Sequence, residues 1–133
     1  MMFCRGIRGA TTASDDTPEA IKMATKELLK AMIDANDIQE EQVASVIFTT
    51  TPDLTAAFPA SAARALGWTH TALMGSQEVA VPGALPMCIR ILIHWNTTKE
   101  QTEIHHIFLG GATQLRPDLT QDNATKPNGG HNV

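Results

Sequence analysis

The most constraining feature of this sequence is a run near residue 90 in which large apolar side chains occupy every second position. Three isoleucines and a tryptophan fill the odd positions from Ile89 to Trp95, and Arg90, Leu92 and His94 lie between them. Because successive side chains of a strand point to opposite faces, this alternation predicts a β-strand with one face in a core. Such a strand needs neighbouring strands and a layer of helices over its apolar face.

Four other segments have strand patterns. Alternation in the first segment, and apolar or β-branched residues in the others, predict strands at residues 3–12, 43–51, 69–74 and 103–109. The alternating run around residue 90 is then the fourth of five strands.

Two segments carry helix signals at their ends. The tripeptide from Thr17 supplies an N-cap, a proline at the first helical position and an acid in the first turn, which together predict a long helix over residues 18–36. Pro59 opens and Gly67 closes a short alanine-rich helix over residues 60–66. Five strands with one long and one short helix describe an α+β domain.

The size and charge of the chain exclude several functions. It has 133 residues, of which 43% are hydrophobic, and this suffices for one domain but not for two. The net charge of −4 repels nucleic acid. No apolar run reaches the length of a membrane span, and Arg5 and Arg8 interrupt the position of a signal peptide, so a cytoplasmic protein is expected. Cys4 and Cys88 lack paired spacing and are expected as reduced thiols in or near a core.

The arginines indicate function more directly than other residue types. Arg90 lies within an apolar strand, where a guanidinium that keeps its proton needs an anion nearby. That anion is a ligand carboxylate or an internal acid, unless the side chain turns to water from an open sheet face, and the same alternatives hold for Arg8 and Arg116. Glu78, a lone acid among small and apolar residues, is a candidate internal partner. The sequence has no nucleophile and base motif, metal-ligand spacing or nucleotide-binding glycine motif.

Six short motifs follow one another along the chain and together resemble one family. They are RGIRGATT at 5–12, TPDL at 51–54, FPA at 58–60, QE at 77–78, CIR at 88–90 and LRPDL at 115–119. The family is that of the AroH-class monofunctional chorismate mutases, and the resemblance covers about residues 3–119. It implies a single domain at residues 1–119. The polar composition of the remaining residues, 120–133, predicts a flexible tail that is too poor in apolar side chains to fold alone.

The resemblance implies a fold, an assembly and a reaction. The fold is a mixed five-stranded sheet packed by helices, and three chains form a pseudo-α/β barrel like that of the bacillus enzyme, with active sites between neighbouring subunits. The reaction is the Claisen rearrangement of chorismate to prephenate, at the branch leading to phenylalanine and tyrosine, and it needs no cofactor. Chorismate, prephenate and further copies of the chain are the expected partners, without nucleic acid or membrane.

The resemblance also implies roles for individual residues. Arg90 donates to the ether oxygen and a substrate carboxylate, Arg8 binds a carboxylate, and Glu78 accepts from the ring hydroxyl. The other expected substrate-binding residues are Gly75, Ser76 and Gln77 through backbone atoms, Phe108 and Leu115 as pocket walls, Arg64 and Arg116 as charges that attract the dianion, and Phe58, Ala60, Leu73 and Met74, largely from the adjoining subunit.

Three positions depart from the family's pattern. Phe108 stands where tyrosine is common, Gly75 where cysteine occurs, and Ser61 where lysine is frequent. Losing a hydroxyl contact costs about 0.5 to 1.5 kcal/mol, so we expect reduced activity with an unchanged reaction type.

Two other functions are alternatives at this point. A catalytically silent trimer could bind a small carboxylate in the same cleft, with Arg8 and Arg90 only as anchors. An imine-hydrolysing trimer of the reactive-intermediate deaminase type has a similar fold, but the six motifs are not those of that family.

Overall fold

One mixed sheet forms the centre of the protein, for which a computed structural model describes residues 1–115. The strands are β1 (Phe3–Thr12), β2 (Val43–Thr50), β3 (Ala72–Gln77), β4 (Cys88–Thr97) and β5 (Ile107–Phe108). The helices are α1 (Pro18–Asn36) and α2 (Ala60–Ala65), with 3-10 turns at Glu40–Gln42, Gln101–Glu103 and Gly110–Gln114. The strand order is β3-β2-β4-β1-β5, which confirms the predicted five-stranded α+β fold.

β4 is the central strand and pairs antiparallel with both neighbours, β1 and β2. The edge strands β3 and β5 run parallel to β2 and β1, so the sheet is mixed. In this register Arg90 lies opposite Ala10 of β1 and Thr49 of β2. Side chains of the three strands at this level therefore share one face of the sheet.

The other face of the sheet is covered by the helices and forms the core. Ile91 of β4 is 2% exposed and belongs to one cluster with Leu28 and Met32 of α1. A Cβ on Gly9 of β1 would lie 2.4 Å from the Sδ of Met32, so glycine allows the strand to approach the helix closely. The alternate residues of β1 and β4 point away from α1, and most of them are exposed or half-buried.

The first strand and the long helix have the boundaries that the sequence predicts. α1 begins after Thr17, whose hydroxyl accepts a hydrogen bond from the backbone N–H of Ala20 at 3.1 Å. It ends at Asn36 and is capped by Asp37, which adopts the left-handed conformation with a φ of 55°. Gly67 after α2 has a φ of 98°, as a helix-terminating glycine should.

The predicted third strand, at residues 69–74, is displaced by three residues, because the observed strand is Ala72–Gln77. The carboxylate of Glu40 accepts hydrogen bonds from the backbone N–H of His70 and the hydroxyl of Thr71, at 3.3 and 3.0 Å. These bonds hold the segment before β3 outside the ladder with β2, which begins at Ala72.

The predicted fifth strand, at residues 103–109, is reduced to Ile107–Phe108. The buried side chain of Asn36 replaces a neighbouring strand at His105: its Oδ1 accepts from the backbone N–H at 2.9 Å, and its Nδ2 donates to the carbonyl at 2.9 Å. A tertiary hydrogen-bond pair of this kind leaves no local sequence signal.

One cysteine departs from expectation. Cys4 is exposed, because it lies on the same alternate face of β1 as Arg8, whereas Cys88 is buried as predicted. Burial raises the pKa of the Cys88 thiol. Within residues 1–115, no helix is long and apolar enough to cross a membrane. The predicted boundary between the domain and the tail, at residues 119 and 120, lies outside the described residues.

Candidate active site

A cavity of about 320 Å³ opens on the sheet face that points away from α1. Three charged residues share it with mainly apolar neighbours. Its lining consists of Arg8, Gly9, Ala10, Ile47, Thr49, Glu78, Arg90, Ile91, Leu92, Phe108 and Leu115. A small apolar cavity with a few convergent charges is typical of a site for a small anionic ligand.

Antiparallel pairing brings the two arginines of the cavity together. Arg8 is paired with Leu92, and Arg90 is paired with Ala10 two positions further along. Residues two apart on a strand lie on one face, so both guanidinium groups project from neighbouring strands into the same space. Two such groups suit a ligand with two carboxylates, because each guanidinium can donate two parallel hydrogen bonds.

Glu78 reaches this space from the end of the edge strand β3. Its backbone N–H donates to the carbonyl of Thr50 at 2.8 Å, which fixes the chain as it leaves the sheet. Its carboxylate accepts a hydrogen bond from the Thr49 hydroxyl, and Oε2 lies 3.6 Å from Nε of Arg90. The anion that the sequence requires near Arg90 is therefore partly supplied from within.

The pair of Glu78 and Arg90 is open to solvent. The side chain of Arg90 is 47% exposed and that of Glu78 is 26% exposed. Ion pairs of this exposure contribute about 0 to 1 kcal/mol to stability, so fold stability gives little reason for both charges to be here. Both remain accessible to a ligand in the cavity.

The apolar wall of the cavity comes from β5 and the 3-10 turn that follows it. Phe108 is 5% exposed and clusters with Ala10 and Ala112, and Leu115 packs against this cluster. The backbone N–H of Gly111 donates to the Thr12 hydroxyl at 3.0 Å and ties the turn to β1. The phenylalanine supplies shape without the hydroxyl that tyrosine would add.

Asp53 fixes the chain at Met87, just before β4 begins and three residues before Arg90. Its carboxylate accepts from the Thr51 hydroxyl at 2.5 Å and from the backbone N–H of Met87 at 2.9 Å. Met87 has a φ of 55°, a conformation that costs free energy outside glycine and is held here by this bond. The hydrogen bond from Thr51, followed by that from Met87, lowers the pKa of Asp53.

A second aspartate holds the loop before α2. The carboxylate of Asp16 accepts from the backbone N–H groups of Thr55 and Ala56, at 2.8 and 3.0 Å, and from the Thr55 hydroxyl at 2.9 Å. The backbone bond from Thr55 is the main cause that lowers the pKa of Asp16. This loop leads directly into Phe58.

Acid should weaken the bonds of Asp53. A pKa that is lower in the folded state stabilises the fold above the ordinary value of 3.8, and this contribution is lost as pH falls through the folded value. Asp53→Asn is therefore expected to be less stable than the parent at about pH 6, and this difference should become smaller towards about pH 2.5. Urea unfolding over this pH range measures the difference, with the exposed Asp34→Asn as control. A difference that does not shrink on acidification would contradict this prediction.

Of the predicted site residues, five line the cavity: Arg8, Glu78, Arg90, Phe108 and Leu115. Four others line a second cavity of about 320 Å³ in the same chain, namely Phe58, Gly75, Ser76 and Gln77. Of the remaining five, Arg64 and Met74 are exposed, Met74 to 62%. Leu73 is half-buried, and Ala60 is buried in the core. Arg116 lies outside the described residues.

Sequence reasoning missed several lining residues, of which Thr49 and Ile47 of β2 are the most informative. Both face the cavity because Thr49 pairs with Arg90 and Ile47 pairs with Leu92. Alternation within β4 does indicate Leu92 as a neighbour of Arg90. Nothing in the sequence gives the register between β2 and β4, so no local signal identifies Thr49.

Within the described part of the chain, no three His, Cys, Asp or Glu side chains are grouped so that they could hold a metal ion. The chemistry available in the cavity is that of two fixed positive charges, one carboxylate and a hydroxyl. Such a set can orient an anion and stabilise charge that develops during a reaction.

Comparison with known proteins gives one consistent result. The chain matches the family model described as chorismate mutase type I over residues 4–119. It is 55% identical over 116 residues to "Chorismate mutase AroH" of Thermus thermophilus, covering 86% of this chain and 95% of that one. It is 43% identical over 120 residues to "Chorismate mutase AroH" of Bacillus subtilis (strain 168), covering 90% and 94%. Among solved structures it is similar to a chorismate mutase from Clostridium thermocellum, with a TM-score of 0.81 and 51% identity over 82% of this chain and 97% of that one.

Proposed function

The chain belongs to the type I chorismate mutases, and we propose that it converts chorismate into prephenate in the cavity lined by Arg8, Glu78 and Arg90. The observation that carries this proposal is the convergence of two arginines and one glutamate on a small apolar cavity. The protein is an isomerase of aromatic amino acid biosynthesis, and its product leads to phenylalanine and tyrosine.

The rearrangement needs charge stabilisation more than proton transfer. The bond to the ether oxygen of chorismate breaks ahead of the formation of the new carbon-carbon bond, so negative charge grows on that oxygen and the ring becomes relatively positive. No proton moves and no covalent intermediate forms, so the site needs neither a general base nor a nucleophile. Groups that match this charge separation better than they match the substrate accelerate the reaction.

Arg90 is the group that donates to the ether oxygen and to a substrate carboxylate. The central strand fixes the backbone of Arg90, and the Glu78 carboxylate 3.6 Å from Nε attracts the guanidinium towards the cavity before the substrate arrives, so less reorganisation is needed as charge develops. Arg8, on the neighbouring strand, binds a carboxylate and holds the enolpyruvyl chain in a compact conformer. That restriction removes part of the orientational entropy that the free substrate would lose in the transition state.

Glu78 acts on the ring side of the substrate. Its carboxylate accepts from the ring hydroxyl, and its charge lies where the ring fragment becomes positive in the transition state. Phe108 and Leu115 enclose the apolar part of the ligand. Without a hydroxyl, Phe108 gives shape alone, so lower activity than with tyrosine is expected.

The complete site is proposed to lie between subunits of a homotrimer that forms a pseudo-α/β barrel. Phe58, Ala60, Leu73 and Met74 then come largely from the neighbouring copy. Gly75, Ser76 and Gln77 contribute backbone atoms to the cleft, and Arg64 and Arg116 attract the dianion. Two exposed side chains support such an interface, because Phe58 and Met74 are 79% and 62% exposed in the single chain. Large apolar side chains exposed to this degree favour burial against a partner.

Analytical ultracentrifugation should show three chains per particle. Phe58→Asp, which places a charge where the interface is proposed, is expected to shift the population towards monomer and to lower activity with it. A stable monomer with full activity would contradict a site shared between subunits.

The reaction is tested by incubating the purified protein with chorismate and following prephenate by proton NMR. Prephenate formation well above the uncatalysed rate is the expected result. If prephenate forms only at the uncatalysed rate while chorismate still binds, the silent carboxylate-binding trimer is the correct function.

A further inference from the structure

Among the described residues that line the cavity, Thr49 is the one with an uncharged polar side chain. Its hydroxyl donates to Oε2 of Glu78, and the same oxygen lies 3.6 Å from Nε of Arg90. We propose that Thr49 is a positioning residue that fixes the Glu78 carboxylate relative to Arg90, and hence relative to the substrate. This inference rests on the proposed function of the cavity.

Glu78 needs such a contact because the chain around it leaves the sheet. β3 ends at Gln77, and the backbone N–H of Glu78 makes the last bond to β2, with the carbonyl of Thr50. The next residue, Val79, is 80% exposed. A glutamate at the end of an edge strand has three rotatable side-chain bonds, and the backbone bond leaves all of them free.

Arg90 does not fix the carboxylate by itself. The separation of 3.6 Å between Nε and Oε2 exceeds the 2.7 to 3.2 Å range of an N–H to oxygen hydrogen bond. The Thr49 hydroxyl makes the directional bond, and β2 is held in register against Arg90 by the pairing of Thr49 with it. The hydroxyl and the guanidinium are thus placed by one pair of strands, β2 and β4, and the hydroxyl in turn places the carboxylate of Glu78.

Loss of the hydrogen bond from Thr49 would affect catalysis because the Glu78 carboxylate could then change its position. Freed from Thr49, it can move closer to the guanidinium and turn the 3.6 Å ion pair into direct hydrogen bonds, which occupy the donors that the ether oxygen and substrate carboxylate require. Thr49 therefore keeps the two charges close together while leaving the guanidinium donors available to the substrate. Preorganisation of this kind acts mainly on kcat.

The test compares Thr49→Val, which keeps the shape and removes the hydroxyl, with Thr49→Ser, which keeps the hydroxyl. Thr49→Val is expected to lower kcat about 10- to 100-fold with a change in KM below about 3-fold, the range for a hydrogen bond to a charged group. Thr49→Ser is expected to retain kcat within about 3-fold. Thr49→Ala gives a second pair with Thr49→Ser, since only a hydroxyl separates alanine from serine.

Thr71→Val is a matched control. Its hydroxyl also donates to a glutamate, Glu40, at 3.0 Å, but neither residue lines the cavity. It is expected to leave kcat unchanged, so a loss of activity specific to Thr49→Val reports the cavity and not the removal of a threonine hydroxyl from the sheet region.

A double-mutant cycle with Glu78→Gln separates positioning from packing. If Thr49 acts through the carboxylate, Thr49→Val lowers kcat by less than about 3-fold once Glu78 is glutamine. The proposal is overturned if Thr49→Val keeps parental kcat, if Thr49→Ser is as impaired as Thr49→Val, or if the loss is equal in both backgrounds. Parental protein that forms no prephenate would instead refute the proposed function itself.

Discussion

Arg90→Ala is expected to lower kcat about 100- to 1,000-fold, with a much smaller rise in the KM for chorismate. Arg90 is in the central strand, and its side chain lines the cavity beside Glu78, so the guanidinium is near the substrate before negative charge grows on the ether oxygen. Its interaction strengthens as the bond to that oxygen breaks, and removal of such an interaction appears in kcat. Steady-state prephenate formation over a range of chorismate concentrations separates the two constants.

Arg5→Ala is the matched control for this variant. Arg5 is also a sheet arginine, but its Nε donates to the carbonyl of Lys99 at 2.9 Å and its guanidinium lies over the ring of Phe3, outside the cavity. We expect kcat within about 3-fold of the parent, even if stability falls. Arg90→Ala with parental kcat and a large rise in KM would make Arg90 an anchor only, as in the silent binding trimer.

Alternation of apolar and polar residues along the sequence identifies those site residues whose position depends on a single strand. Arg90 stands out in the sequence because its neighbours at 89 and 91 are isoleucines, and the structure places it facing a cavity. Its contact with Glu78 joins the central strand to the end of an edge strand. Proximity of this kind depends on strand order, which single-strand periodicity does not contain. The sequence offers Glu78 only as one candidate partner.

The same distinction applies to the fold. α1 has its predicted ends because the signals are local: the Thr17 cap, the proline after it, and a continuous apolar face. β3 and β5 differ from prediction because side chains far away in sequence, Glu40 and Asn36, bind the backbone at their ends. The sequence does not show which backbone groups a polar side chain will bind through hydrogen bonds when those groups are distant along the chain.

Asn36→Ala is expected to lower the free energy of unfolding by about 2 to 4 kcal/mol. Asn36 is 4% exposed and makes two hydrogen bonds to the backbone of His105, one through each atom of its amide. Alanine leaves an N–H and a carbonyl of a partly buried segment without these partners, at the point where the chain enters β5. Thermal unfolding at one fixed protein concentration should show a decrease in Tm of roughly 10 °C.

Two further variants show whether this loss comes from the pair of bonds to His105. Thr25→Val removes one buried hydrogen bond of α1, from the Thr25 hydroxyl to the carbonyl of Ile21, and is expected to cost below about 1 kcal/mol, because it releases no backbone group outside the helix. Asn36→Asp can still accept from the N–H of His105, but it places a buried charge against the carbonyls of Met32 and His105 and cannot donate to them, so its stability should be no higher than that of Asn36→Ala. A loss of stability for Asn36→Ala no larger than that for Thr25→Val would contradict this prediction.

β5 carries Phe108 at the wall of the cavity, so Asn36→Ala should also raise the KM for chorismate at temperatures where the fold persists.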